Sequence, residues 1–373
     1  MDDDSAHEAR DGSGAVHILL PAVSPVPIGG YKVAYEYANA LAAQGVAVTV
    51  WHSEAFMAQR NGSFHAWPAM RSVLAWWLRG QRAGWRRTGV RWFRLDTKVR
   101  VRAVGGLPPL RLRRGDAVLA TAVQTMPFAG RVARRAGARS AALIQHDESW
   151  ADTPEAIAAA WRAVDERIVI APWLAERSTE LGLSSRLLPN AIVAADFPKG
   201  PALADRPEQV TSLLSPHGYK RPDVVIGVLE EVLRRRPSTT ARVFGPSRER
   251  PSMASAIDYV ADPTPAQLRD LYQTSRVYLC GSDAEGWHLP PAEATLSGAA
   301  VVSTDIGGVR ASMADDALYA PPGQVTALAD QVIAALDDVS AAQERADRAR
   351  ARLLETTYEG NTRELRRILL SRS

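Results

Sequence analysis

The chain of 373 residues has one cysteine, Cys280. A lone thiol cannot form an internal disulfide and cannot supply a zinc or redox cysteine motif, so a reducing, cytoplasmic setting is expected. No apolar run approaches the roughly 20 residues of a bilayer-spanning helix, which leaves only peripheral membrane contact. The leader MDDDSAHEARDGSG, residues 1–14, is acidic and lacks the basic and apolar regions of a signal peptide, so it reads as disordered. No GxGxxG follows a strand-like run with an acidic residue about 20 positions on, which argues against a dinucleotide oxidoreductase. No DxD-type pair stands at a strand end, and there is no repeat of fixed short period.

What is present suits a soluble α/β protein. With 46% hydrophobic residues over 373 positions, two domains are the default. The formal net charge is only +4, yet the arginines between Arg71 and Arg114 face Asp96 as their sole acidic neighbour in sequence. Trp67, Trp76, Trp77, Trp85 and Trp92 are interleaved with them, half of the 10 tryptophans in the chain. Such a segment, 67–102, is either a solvated basic face or a surface that settles at a membrane interface or grips an anionic acceptor.

Apolar runs alternate with helical patterns. Val16 to Leu20, the periodic stretch Val33-Tyr37-Ala38-Leu41 and Val46 to Val50 read as strand, helix, strand, and Val99 to Val104, Ala117 to Ala120, Ala141 to Ile144 and Ile168 to Ile170 continue the strands. That order predicts a parallel sheet with right-handed crossovers. The run Asp196-Phe197-Pro198-Lys199-Gly200-Pro201 punctuates the chain, and a second strand series follows at Val210 to Leu214, Ala241 to Phe244, Ile257 to Val260 and Val277 to Cys280. The expected division is 15–190 and 191–350 for two Rossmann-like domains facing a cleft, with a terminal helix in 351–373.

The most informative stretch is EGWHLPPAE, Glu285 to Glu293. It follows an apolar strand and opens on a helix whose first turn tolerates Pro290 and Pro291, because the N–H groups they lack have no helical partner there. Gly298 can end that helix before Ala299 to Val302. Strand, loop and helix N-terminus together make a binding place for phosphate, with Glu285 on the loop and Glu293 one turn into the helix.

The segment EGWHLPPAEATLSGAAVVSTDIGG resembles the donor-site segment of retaining GT-B glycosyltransferases, specifically glycosyltransferase family 4. The paired glutamates, Ala294, Gly298, Val301-Val302 and Gly307-Gly308 carry the likeness. PIGGYKVAYEYANALAAQGVAVTV is similar to that family's N-terminal glycine loop, helix and second strand, and APWLAERSTELGLSSRLLPNAI resembles its interdomain segment. The resemblance implies an α/β GT-B fold and a hexosyltransferase of polysaccharide-biosynthesis type. It also implies a nucleotide diphosphate sugar as donor and neither cofactor nor metal. The implied acceptor is a glycan, a lipid-linked glycan or a glycosylated metabolite, with the enzyme cytoplasmic or at the inner face of the membrane.

The same resemblance implies roles for individual residues. Glu285 would bind hydroxyls of the transferred sugar and Glu293 the ribose, with Gly286, Trp287, His288 and Leu289 near the phosphates. Gly29 and Gly30 would admit the ligand to backbone amides. Lys220 would bind the diphosphate, since helix N-termini alone contribute only about 0.3 to 2 kcal/mol. The arginine usual five or six residues earlier is replaced by Leu214 and Ser215, so either Arg221 or His217 substitutes for it or the chain belongs to a branch that manages with one cation. His288 stands where a small residue is usual and either reaches the donor or fills space. His146, at a strand end, would lie near the reacting sugar, with Asp147 and Glu148 as alternatives. Two rivals remain: a sugar-nucleotide epimerase on the same fold, separated by product analysis, and a nucleic-acid-binding protein using the Arg/Trp segment, whose affinity would fall steeply with salt.

Overall fold

The structure is a computed structural model and describes residues 14–60, 63–64 and 90–371. The chain divides into two compact units. The first comprises the chain up to Ile170, Leu174–Leu188 and Tyr358 onward, and the second Ala171–Trp173 and Pro189–Thr357.

The sheet of the first unit is parallel, with strand order β5-β2-β1-β6-β7-β8-β9. Its strands are β1 (Val16–Leu20), β2 (Val48–Ser53), β5 (Arg100–Val104), β6 (Ala117–Ala120), β7 (Arg139–Ile144), β8 (Glu166–Val169) and β9 (Arg186–Leu187). A short antiparallel pair, β3 (Gln59–Arg60) and β4 (Ser63–Phe64), stands apart from it. Ile18, Val50, Leu119 and Leu143 are fully buried, which is why the central strands read as continuous apolar runs rather than alternating ones. The helix Gly29–Ala43 joins β1 to β2 and buries Val33, Tyr37 and Leu41. The helix Met126–Ala136 ends at Gly137, whose φ of 62° is left-handed and open to glycine without a Cβ clash. The last helix, Tyr358–Leu370, also packs in this unit; Asn361 donates to the Tyr37 hydroxyl at 3.4 Å, and Arg139 donates to the carbonyls of Ile368 and Ser371.

The second unit repeats the principle with the order β12-β11-β10-β13-β14-β15. These are β10 (Gln209–Leu213), β11 (Thr240–Gly245), β12 (Ile257–Ala261), β13 (Val277–Cys280), β14 (Ala300–Thr304) and β15 (Leu318–Ala320). Val210, Val243, Val277, Leu279 and Val302 form its core with Val228 and Val232 of the helix Pro222–Arg235 and Leu328 and Val332 of Val325–Asp337. In each sheet the strand order reverses in the middle, between β1 and β6 and between β10 and β13. Loops leaving the carboxyl ends of those neighbours diverge to opposite faces and open a crevice, the place where open α/β sheets bind ligands.

Candidate functional site

Lys220 and Glu285 meet at the reversal point of the second sheet. Lys220 follows β10 and Glu285 follows β13, and Lys220 Nζ donates to both carboxylate oxygens at 2.6 and 2.8 Å. Glu285 is buried and Lys220 half-buried, with side-chain exposure of 7% and 16%. Ser282 Oγ donates to Glu285 Oε1 at 2.8 Å, and Asp283 N donates to Tyr219 O at 2.8 Å, tying the two loops together.

His288 completes the cluster. Its φ of 60° is unusual for a residue with a Cβ, and it stands immediately before the helix Leu289–Leu296. Burial lowers its pKa to about 3, so the imidazole is neutral, and burial also raises the Cys280 thiol, which stays protonated. Cys280 Sγ lies 3.2 Å from His288 Nδ1. With the thiol donating to Nδ1, the imidazole proton sits on Nε2, 3.5 Å from Glu285 Oε1; the other tautomer would set a lone pair against the carboxylate. Burial alone would raise the Glu285 carboxyl, but the neighbouring His288 and Lys220 hold it below the usual range. Because His288 is uncharged, Lys220 carries that effect at neutral pH.

This loop also has donors to spare. The backbone N–H groups of Gly286, Trp287, His288 and Leu289 donate to no protein group among the described residues, and Pro290 and Pro291 have none. The buried Trp287 Nε1 is equally without a hydrogen-bond partner among the described residues, and His288 Nε2 faces the Glu285 carboxylate only at 3.5 Å. Native proteins seldom leave such groups unpaired, and successive free N–H groups at a helix start form an anion-binding concavity.

The glycine pair after β14 explains how the loop is held. A Cβ on Gly308 would lie 2.3 Å from the Glu285 carbonyl oxygen, and one on Gly307 would lie 2.8 Å from the Trp173 ring. Trp173 Nε1 in turn donates to Gly286 O at 3.0 Å. Glu293, on the helix one turn in, is 6% exposed and accepts from the Tyr272 hydroxyl at 3.3 Å. Neither glutamate is turned into solvent.

Arg221 does not stand free for an anion. It donates to Asp223 and to both oxygens of Asp283, at 3.2 and 3.0 Å for the latter, and these bonds raise its pKa further. Its φ of 47° is also left-handed. His217 is exposed and stacks on Tyr219, with ring centroids 5.8 Å apart.

In the first unit the corresponding reversal point gathers Gly30, Val123 and Gln145–Glu148. Gly29 and Gly30 begin the helix after β1, and Gln145 Nε2 donates to Gly30 O at 2.9 Å. His146 follows β7; its Nδ1 lies 2.7 Å from Asp147 Oδ1, and its ring meets Trp150 edge-on at 4.3 Å. The His146 bond holds the Asp147 carboxyl low. Glu148, with φ 53°, accepts from Val123 N through both oxygens at 3.2 Å, and burial pushes its pKa up to about 7. Glu148, Arg221 and His288 are three of the five non-glycine residues with positive φ among the described residues, and strain of this kind gathers at functional loops.

Residues 210–338 match the model of the family described as Glycosyl transferases group 1. The chain is a glycosyltransferase. No curated protein matches it. Among solved structures, sucrose-phosphate synthase from Thermosynechococcus elongatus is similar with a TM-score of 0.69 at 14% identity, covering 95% of this chain and 98% of that one. HepE from Anabaena, solved in complex with UDP and glucose, gives 0.68 at 13%, covering 96% and 100%. An E. coli structure described as trehalose-6-phosphate bound with UDP-2-fluoro glucose gives 0.67 at 11%, also covering 96% and 100%. At such identities the likeness establishes the fold, which is GT-B.

Of the site residues expected from sequence, this glycosyltransferase brings Lys220, Glu285, Gly286, Trp287, His288, Leu289 and Glu293 together in its second unit; Gly29, Gly30 and His146 belong to the first. Sequence reading missed Ser282, Tyr272, Trp173 and Gln145. Ser282 bonds Glu285 three residues away in the same loop, whereas Tyr272, Trp173 and Gln145 act through contacts distant in sequence that leave no local pattern. Trp67, Trp76, Trp77 and Trp85 lie outside the described residues. Trp92 is no free interfacial anchor: it is half-buried, donates to Ser24 O at 3.0 Å and packs on Tyr35.

Proposed function

We propose that the enzyme belongs to glycosyltransferase family 4 and transfers a sugar from a nucleotide diphosphate sugar, with retention and without a metal, in polysaccharide or related glycan synthesis. The acceptor is a hydroxyl of a glycan, lipid-linked glycan or glycosylated metabolite, met in the cytoplasm or at the inner membrane face. The observation that carries this reading is the Lys220–Glu285 pair beside four free backbone donors. A diphosphate arriving there takes a share of Lys220 and fills the amide concavity. Glu285 is then released from part of its ion pair to accept from sugar hydroxyls, a charge-assisted bond about twice as strong as a neutral one. Glu293 takes the ribose hydroxyls in place of its contact with Tyr272. Gly29 and Gly30 leave the first helix start open to the ligand. His146, oriented by Asp147, accepts from the reacting sugar. The departing phosphate oxygen helps deprotonate the acceptor on the same face, so positioning and electrostatics carry the rate.

UDP sugars are the first donors to try, because similar structures were solved with UDP-containing ligands. Thermal-shift screening of UDP, GDP, dTDP and ADP sugars identifies the donor. NMR of the product anomer then tests retention, and an inverted anomer sinks the mechanism. Activity is expected to survive EDTA dialysis; loss restored by a divalent cation would overturn the metal-free reading.

A further inference from the structure

The first sheet has a second concavity, at its amino edge, that donor chemistry does not use. The connection from β5 back to β6 is the extended strap 105–116 with no helix. A right-handed crossover in that direction runs over β2 and β1 on the face opposite the helix Gly29–Ala43. On that face, strand register sets Arg100 beside Thr49 and Thr49 beside His17, with Arg102 beside Trp51. A strap covers less of a sheet than a helix of roughly 10 Å diameter, and a cavity of about 630 Å³ remains.

Lys98, Arg100, Arg102, Arg111 and Arg113 line it, and none of them has an ion-pair partner among the described residues. The one carboxylate of the wall, Asp116, is occupied: Oδ1 accepts from Ala15 N and Oδ2 from Arg113 N, each at 2.8 Å. Trp51 supplies a flat apolar wall. Its indole donates to His17 Nδ1 at 3.1 Å, and since indole only donates, His17 is neutral and holds the ring in place. Five gathered cations around an aromatic ring repel one another until an anion enters, and the volume is that of a small-ligand pocket.

We propose that this cavity binds a multiply phosphorylated, sugar-sized anion, either free or as a lipid headgroup. Ala15, Lys98 and Asp116 precede their strands, whereas Gln145–Glu148 follow β7, so the site lies at the opposite edge of the sheet from the candidate catalytic loops. It is an effector or tethering site rather than part of the donor site, and it stands whether or not the donor reading does.

The test uses the full chain. Calorimetry with glucose 1,6-bisphosphate, with glucose as the neutral control, reads the free anion; sedimentation with phosphatidylcholine vesicles carrying phosphatidylinositol 4,5-bisphosphate, against phosphatidylglycerol-containing vesicles of matched charge, reads the headgroup. Arg100→Gln with Arg111→Gln is expected to weaken whichever binds by about tenfold or more, as two charge-assisted bonds are lost. Both positions are exposed, so folding should survive. If the double variant does not fold, Arg102→Gln alone serves, with about a threefold loss expected. Binding of the bisphosphate assigns a free ligand, and binding of the vesicles alone assigns a headgroup. Failure of both, or binding that these substitutions leave unchanged, overturns the proposal.

Discussion

Replacing Lys220 by methionine keeps most of its apolar stem and removes its charge, leaving Glu285 buried at 7% exposure with Ser282 as its remaining close donor. At an effective dielectric of 20, two charges at this contact attract by about 6 kcal/mol, but desolvation offsets much of this, and breaking one partner of a buried pair typically costs about 3–5 kcal/mol. Glu285 has an escape: it can take up a proton. From an ordinary carboxylate pKa, protonation at pH 7 costs about 4 kcal/mol, which caps the damage. The expected loss is therefore about 3–4 kcal/mol at pH 7, shrinking as pH falls toward 5, where protonation becomes cheap. In a unit of this size that lowers the unfolding midpoint by about 6–16 °C. Adding Glu285→Gln to the variant should restore most of the stability, because no buried charge is left to orphan. Differential scanning calorimetry of the four proteins closes the cycle. An unchanged midpoint for Lys220→Met at pH 7 would falsify the buried-pair argument, and with it the claim that Lys220 is both anchor and ligand.

The other predictions concern pH and packing. His288 has a folded pKa near 3 against 6.5 unfolded, so its contribution is intact above pH 6.5 and is lost as pH falls toward 3; relative to His288→Asn, about 2 kcal/mol should go between pH 6.5 and 5 in denaturant titrations. Glu148 runs the other way: its folded pKa of about 7 exceeds 4.5, so stability falls as pH rises from 4.5 to 7, by about 3 kcal/mol at most, and Glu148→Gln should flatten that slope. Gly308→Ala places a methyl 2.3 Å from the Glu285 carbonyl and should cost about 1–3 kcal/mol while reducing UDP binding, measured by calorimetry; full affinity would show that the loop position is not critical.

The sequence made the sheets legible because their strands are buried on both faces and stand out as apolar runs between glycines and prolines. β1, β6 and β13 fall where those runs lie. β9 and β15, with two and three residues, were too short to show a pattern. The helix start at Leu289 and its end at Gly298 followed from proline and glycine chemistry, and Gly298 indeed has φ 89°. What could not be read was pairing across the fold. Nothing local says that Cys280 fixes the tautomer of His288, that Tyr272 reaches Glu293, or that Arg221 is committed to two aspartates.

The helix Tyr358–Leu370 buries Leu365, Ile368 and Leu369 within the first unit although it is separated from the rest of that unit by the whole of the second. During synthesis the first unit is thus completed only after the second has been made, with an apolar strip near Tyr37 uncovered until Tyr358–Leu370 leaves the ribosome. A fragment cut at Leu188 would inherit that raw strip permanently, so dissecting the two halves requires grafting the tail onto the first rather than trimming it away.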